Sequence, residues 1–294
     1  MWEETVRRST WQAAKQFLKK LADRYVFRGM ANAAWNLETS LDRMKGYPHA
    51  ESEEILIGSF QRAAPTAIHA EPAHDPLSWR ALMRHYGLPS RLLDCTKSAC
   101  VAAYFAAEPP PDPYCDFAIW AIDEAALQRS AEASLGTLSA FGAPLSPLEL
   151  GSSPLFSEAF SNPKRFVALV DASHKSPRQK AQRSLFLCPG DPGYPFWRNL
   201  QGISHEHRTQ GSMYKVVLPS GTRAEVLADL KGLNIDQTHL LPALDDVEDL
   251  CAKLKERLER SQKGHGHFEW KVRVKPILAK YGLLEVEPAY YHTR

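Results

Sequence analysis

The sequence lacks a dominant charge. Its 36 Lys and Arg face 34 Asp and Glu, a formal net charge of +2, too weak a field to recommend the chain as a binder of nucleic acid or of anionic membranes. Arg7 and Arg8 form only a local basic patch, so nucleic acid is disfavoured as a partner. A cysteine framework is missing too. The five cysteines, Cys95, Cys100, Cys115, Cys188 and Cys251, are odd in number and contain no CxxC pair, which suits reduced thiols in a cytoplasm better than disulfides. No apolar run approaches the ~18 residues of a membrane span, and Met1 to Arg8 has no apolar signal-peptide core. The expectation is a cytoplasmic chain with no membrane partner. The glycines form neither GxGxxG nor a Walker loop, which excludes those nucleotide folds. No repeat or low-complexity tract is present.

What is present reads as helices and strands in alternation. Thr10 can cap a helix whose Trp11, Ala14, Phe17, Leu18 and Leu21 recur at helical spacing, with Lys15, Lys19 and Lys20 outside. Tyr25-Val26-Phe27 is a β-prone run that puts Arg28 at a strand end, and Gly29 lets a ligand approach the backbone. Ser52 and the glutamates after it start a helix that carries Ile55, Leu56, Phe60 and Ala63 inward. Asp75-Pro76 starts another, with Leu77, Trp79, Leu82, Met83 and Tyr86 leading to Gly87. Phe117 to Ile122, Phe166 to Val170 and Ser184 to Leu187 have the apolar character of interior strands, and Tyr214 to Leu218 alternates weakly. Residues 134–164 and 189–212 show no period and read as irregular, lid-like loops. Helices follow at Ala224 to Lys231 and Leu244 to about Arg260, and Trp270 to Val274 alternates like an edge strand. The fold class is α+β, a mixed or antiparallel sheet core with flanking helices. Its parts are an N-terminal docking helix (1–24), one domain (25–260) and a C-terminal appendage (261–294).

The chemistry concentrates in the run from Arg84 to Thr96, which sets arginines, a histidine and a carboxylate beside Leu92 and Leu93. Each charge there costs several kcal/mol to desolvate unless it is paired. Along a regular strand Arg91 and Asp94 face opposite sides, so one serves a cleft and the other the scaffold unless the backbone turns between them. Lys97 to Glu108 reads as a helix capped by Thr96 and stopped by Pro109-Pro110-Pro111. Arg28 can grip a phosphate or carboxylate of a ligand, or pair with Asp94 or Glu54. His85 can act as an acid or base or cap its helix, and Cys95 can be a nucleophile if the helix start lowers its pKa, or a packing residue. His205-Glu206-His207 and His265-Gly266-His267 pair imidazoles two apart, but no third ligand accompanies either, so no metal is predicted.

Phe27-Arg28-Gly29, Trp35-Asn36-Leu37, Ser40-Leu41, Glu54 with Phe60 and Arg62, the run from His85 to Asp94, and Tyr104-Phe105-Ala106 closely resemble the FRG domain. Weaker echoes are Arg178 to Gln182 before Phe186, and Leu240 to Leu244. The resemblance implies a bacterial or phage-related protein. A second, more distant one lies in motif order. Arg28-Gly29, then Ser90 to Thr96 with the helix to Phe105-Ala106, then Gln182 before Leu185-Phe186, is similar in order to ADP-ribosyltransferases of the arginine, serine, glutamate type. That similarity implies an ADP-ribosyltransferase-like sheet and NAD as substrate, with Arg28, Gly29, Ser90 and Thr96 binding it and His85, Arg91, Asp94 and Gln182 acting on it. The place of the glutamate is taken by Gln182, whose amide hydrogen-bonds but cannot stabilise positive charge as a carboxylate does. The function implied is ADP-ribosyl transfer or NAD cleavage on a nucleotide-like molecule, by an intracellular toxin or phage-defence effector. The alternative is a non-catalytic recognition module for a protein partner.

Overall fold

The computed structural model describes residues 3–43, 49–63, 76–85, 87–110, 112, 114–136, 145–171, 177–201 and 211–241. Seven strands, β1 (Glu3–Arg7), β2 (Tyr25–Met30), β3 (Leu93–Thr96), β4 (Phe117–Asp123), β5 (Val167–Val170), β6 (Ser184–Pro189) and β7 (Met213–Leu218), form one sheet in the order β1-β7-β4-β2-β3-β6-β5. Every pairing is antiparallel except β1 with β7. The helices are α1 (Trp11–Lys19), α2 (His49–Ala63), α3 (Pro76–His85), α4 (Ala99–Ala107), α5 (Glu124–Leu135), α6 (Pro147–Gly151), α7 (Pro154–Glu158), α8 (Pro177–Ala181), α9 (Phe196–Gln201), α10 (Arg223–Lys231) and α11 (Gln237–Leu240). The architecture is the mixed sheet with flanking helices that the patterning predicts.

Burial follows position in the sheet. β4, β5 and β6 are buried at every residue, as strands covered on both faces must be. Edge strand β1 buries only Val6, and with one apolar residue among five it carries no strand signal; its pairing with β7 from Glu3↔Met213 to Arg7↔Val217 supplies the structure. Helix α1 has the predicted cap and face: Thr10 Oγ1 accepts from the Ala13 amide at 3.3 Å, and Trp11, Ala14 and Leu18 are buried. The N-terminal segment is thus an edge strand plus a helix built onto the same core.

Several expectations are corrected. Arg28 is the fourth residue of six in β2, not its end. The cap of α4 is Ser98, whose Oγ accepts from the Val101 amide at 3.3 Å, rather than Thr96. Helix α2 begins at His49, ahead of Ser52. Residues 145–164 are not irregular throughout: α6 and α7 bury Leu150 and Phe156 in a cluster with Phe166, Val170 and Phe186 at the β5–β6 side of the sheet. In the second loop, α9 buries Phe196 and Leu200 among residues of β4, β5 and β6. The helix expected at 244–260, the strand at 270–274 and both His-x-His pairs lie outside the described residues.

Candidate functional site

The site originates in a break in the sheet. β2 pairs with β4 along its whole length and β3 does so with β6, yet β2 and β3 share one register pair, Phe27↔Thr96. Beyond that pair a cavity of about 480 Å³ opens between the two strands, within the range of small-molecule sites. β2 contributes Phe27, Arg28 and Gly29, and β3 contributes Asp94, Cys95 and Thr96. Val101, Ala102 and Phe105 of α4 form one wall, and Arg178, Gln179, Gln182, Ser184 and Phe186 form another. Arg84 and Gly87 complete the lining at the end of α3.

Charge defines the polar end. Among the described residues, Arg28, Arg84 and Arg178 line the cavity with a single carboxylate, Asp94. Arg84 donates to Asp94 Oδ2 from Nε at 3.0 Å and from Nη2 at 2.5 Å. Arg28 Nη1 donates to the Asp94 carbonyl at 2.5 Å and lies 3.9 Å from Oδ2. Burial alone would raise the Asp94 pKa, but the guanidiniums of Arg84 and Arg28 outweigh it and hold the carboxyl below its ordinary value. For Arg28 burial prevails: its pKa falls to about 10, with Asp94 opposing and Arg84 and Arg43 adding to the fall. Among the described residues its buried Nε has no hydrogen-bond partner, and an unpaired buried donor is costly without an acceptor.

The third wall is held by the turn between α8 and β6. Thr96 Oγ1 donates to the Gln182 carbonyl at 2.7 Å and accepts from the Ser98 amide at 3.0 Å. The Lys97 amide donates to the carbonyl of Arg183 at 3.3 Å, a residue with φ of 47°. Gln182 Nε2 donates to the Leu240 carbonyl at 2.9 Å.

Of the predicted residues, Arg28, Gly29, Asp94, Thr96 and Gln182 meet at this cavity. Two others do not line it. Arg91 is sealed behind β3, where its backbone amide donates to Glu53 Oε1 at 2.7 Å and its Nε to Oε2 at 2.5 Å. Arg80 Nε reaches the same Oε2 at 3.1 Å. Ser90 is buried, taking the Leu92 amide at its Oγ and giving its own amide to Ser40 Oγ. Placing Arg91 and Ser90 on the cleft is therefore corrected: Glu53, one helix away, supplies a buried counter-ion that draws Arg91 inward. His85 ends α3, and its side chain lies outside the described residues. The Gly29 backbone faces α4 rather than open space, since a Cβ there would sit 2.6 Å from the Ala106 nitrogen and closer still to the Ala102 carbonyl oxygen. Burial pushes the Cys95 thiol far above its ordinary pKa, with Asp94 adding to the rise, which removes the nucleophile reading. Arg84 and Arg178 were missed as lining residues. Their signal was present in the two motif runs that contain them, but cavity-facing orientation is not a local property.

Sheet, split and cation-lined cavity define a mixed α/β domain with a small-molecule-sized site between two diverging strands. Residues 23–114 match the model of the FRG domain, and the chain carries an FRG domain over that span. The span includes β2, β3, α4 and the Arg28, Arg84 and Asp94 constellation, while Gln182 lies beyond it. No curated protein and no solved structure matches the chain. Among the described residues no helix is long and apolar enough to cross a membrane, and no group of three or more His, Cys, Asp or Glu is placed to hold a metal ion.

Proposed function

We propose that the cavity binds a phosphate-bearing nucleotide, with NAD as the first candidate, and carries out ADP-ribosyl transfer or NAD cleavage. The observation that supports this reading is convergence: Arg28, Thr96 and Gln182, far apart in sequence and ordered as in the arginine, serine, glutamate pattern, line one cavity. Among the described lining residues, three guanidiniums against one carboxylate favour an anionic ligand, and the orphan Arg28 Nε calls for an acceptor oxygen. Phe105 of α4, partly buried at the cavity wall, offers apolar surface for a ring. A growing oxocarbenium-like charge would have to be met by Asp94, the carboxylate among the lining residues.

Isothermal titration with NAD and ADP-ribose, paired with a nicotinamide-release assay, tests this. Binding that Arg28→Ala abolishes, with release of nicotinamide, is the expected result. The absence of heat with either ligand, unchanged by Arg28→Ala, would sink it. Growth arrest on induced expression, relieved by the same substitution, is the expected cellular result for a toxin or defence effector.

A second reading, a recognition module without turnover, draws on the engagement of Asp94 by Arg84 and Arg28 and on the amide at 182. It predicts that Arg28→Ala and Asp94→Ala lower the melting temperature sharply while no nicotinamide is released by any form. Variants with wild-type stability and lost activity would end that reading.

A further inference from the structure

The hydrogen bond from Gln182 Nε2 to the Leu240 carbonyl joins residues 58 apart in sequence. Both ends are anchored. On the cavity side, the carbonyls of Gln182 and Arg183 accept from Thr96 and Lys97. On the far side, α11 packs against α8 and is capped by Asp236, whose Oδ1 accepts from the His239 amide at 3.1 Å. Leu240 itself is 3% exposed within the cluster that includes α4 and β2 residues.

A backbone carbonyl only accepts. An amide meets it with an N–H, whereas a carboxylate would meet it with an oxygen and be repelled. We infer that α11 is a clasp on the cavity wall, closed by Gln182, and that this contact requires a hydrogen-bond donor at position 182. Gln182 is then a positioning residue: it fixes the α8 to β6 turn through α11 and is not one of the reacting groups. This deepens the reading of the cavity, on which it rests only in calling that wall a ligand-site wall. It also accounts for an amide where the motif order places a carboxylate.

Hydrogen exchange of the full chain, followed by mass spectrometry, tests the clasp with Gln182→Glu and Gln182→Ala. At neutral pH both variants should exchange in residues 233–241 about threefold to tenfold faster than wild type, the loss of one hydrogen bond. On acidification the introduced carboxyl takes up a proton and its O–H can donate to Leu240. Gln182→Glu should then recover wild-type protection, and Gln182→Ala should not. The charged groups around the bond are Arg178 and Lys180 on α8, Arg183 beside it, Arg84 and Asp94 across the cavity, and Asp236 and His239 on α11. Wild type measured at each pH cancels their titration.

Wild-type protection of Gln182→Glu at neutral pH, or no recovery in acid, would overturn the inference. Faster exchange in residues 117–123 as well would also overturn it, because the effect would be global rather than the opening of a clasp. No ligand enters the measurement, so its outcome stands apart from the NAD titration.

Discussion

Replacing Glu53 by glutamine removes a charge and almost no volume, in a place where charge is decisive. The Glu53 side chain is fully buried, and Arg80 and Arg91, which it joins, are each 3% exposed. One carboxylate oxygen takes the Arg91 amide at 2.7 Å; the other takes Arg91 Nε at 2.5 Å and Arg80 Nε at 3.1 Å. An amide has one oxygen, so whichever way it turns, its N–H faces either the Arg91 amide or two guanidiniums. Breaking a buried pair by neutralising one partner costs roughly 3–5 kcal/mol. The low end applies to Arg80, which keeps Glu54, the Pro76 carbonyl at 3.1 Å and the Phe160 ring at 4.0 Å. Among the described residues Arg91 keeps the Phe160 ring, at 5.0 Å. At about 2–4 °C per kcal/mol for a domain of this size, the melting temperature should fall by roughly 6–20 °C in calorimetry at neutral pH. Burial pushes the Glu53 pKa up, but Arg91 and Arg80 outweigh it, and the net value lies below the ordinary one. A depressed folded-state pKa contributes stability above the unfolded value of about 4.3 and loses it as pH falls through the folded value. The gap between wild type and Glu53→Gln should therefore close in acid, where wild type is neutral too. A gap under ~1 kcal/mol at neutral pH, or one of equal size in acid, would refute the reasoning.

Gly29→Ala should cost about 1–3 kcal/mol in urea unfolding, because the new methyl meets α4 backbone rather than a side chain that could move; a neutral result would mean that α4 slides freely on β2. Arg223 donates to the carbonyls of Ala106, Glu108, Ala31 and Cys115, so Arg223→Lys should destabilise the fold by at least ~1–3 kcal/mol, since an ammonium cannot span the four acceptors. Equal melting temperatures for the two proteins would count against it. Cys95, buried and with its thiol pKa raised by that burial, should resist iodoacetamide at pH 8 in the native state and react on unfolding; rapid native labelling at that residue would contradict its placement. Gln182→Glu should gain no nicotinamide-releasing activity, and a gain would return position 182 to the reacting groups.

Local sequence determined the longer elements. The apolar runs of β4, β5 and β6 and the helical spacing of α1 are properties of neighbouring residues, set by what a buried strand or one helix face must hide from water. It also determined which residue types gather near the split, because Phe27-Arg28-Gly29 and Asp94-Cys95-Thr96 sit on strands it made legible. Tertiary structure alone decided the partners. Arg91 and Asp94 stand three residues apart, yet one is drawn to Glu53 and the other to Arg84 and Arg28, since ion pairing depends on which helix end arrives beside each residue. Strand β1 exists because β7 offers it an edge. The cavity exists because β2 and β3 meet at one register pair and part, and register between segments over sixty residues apart is written in no local pattern.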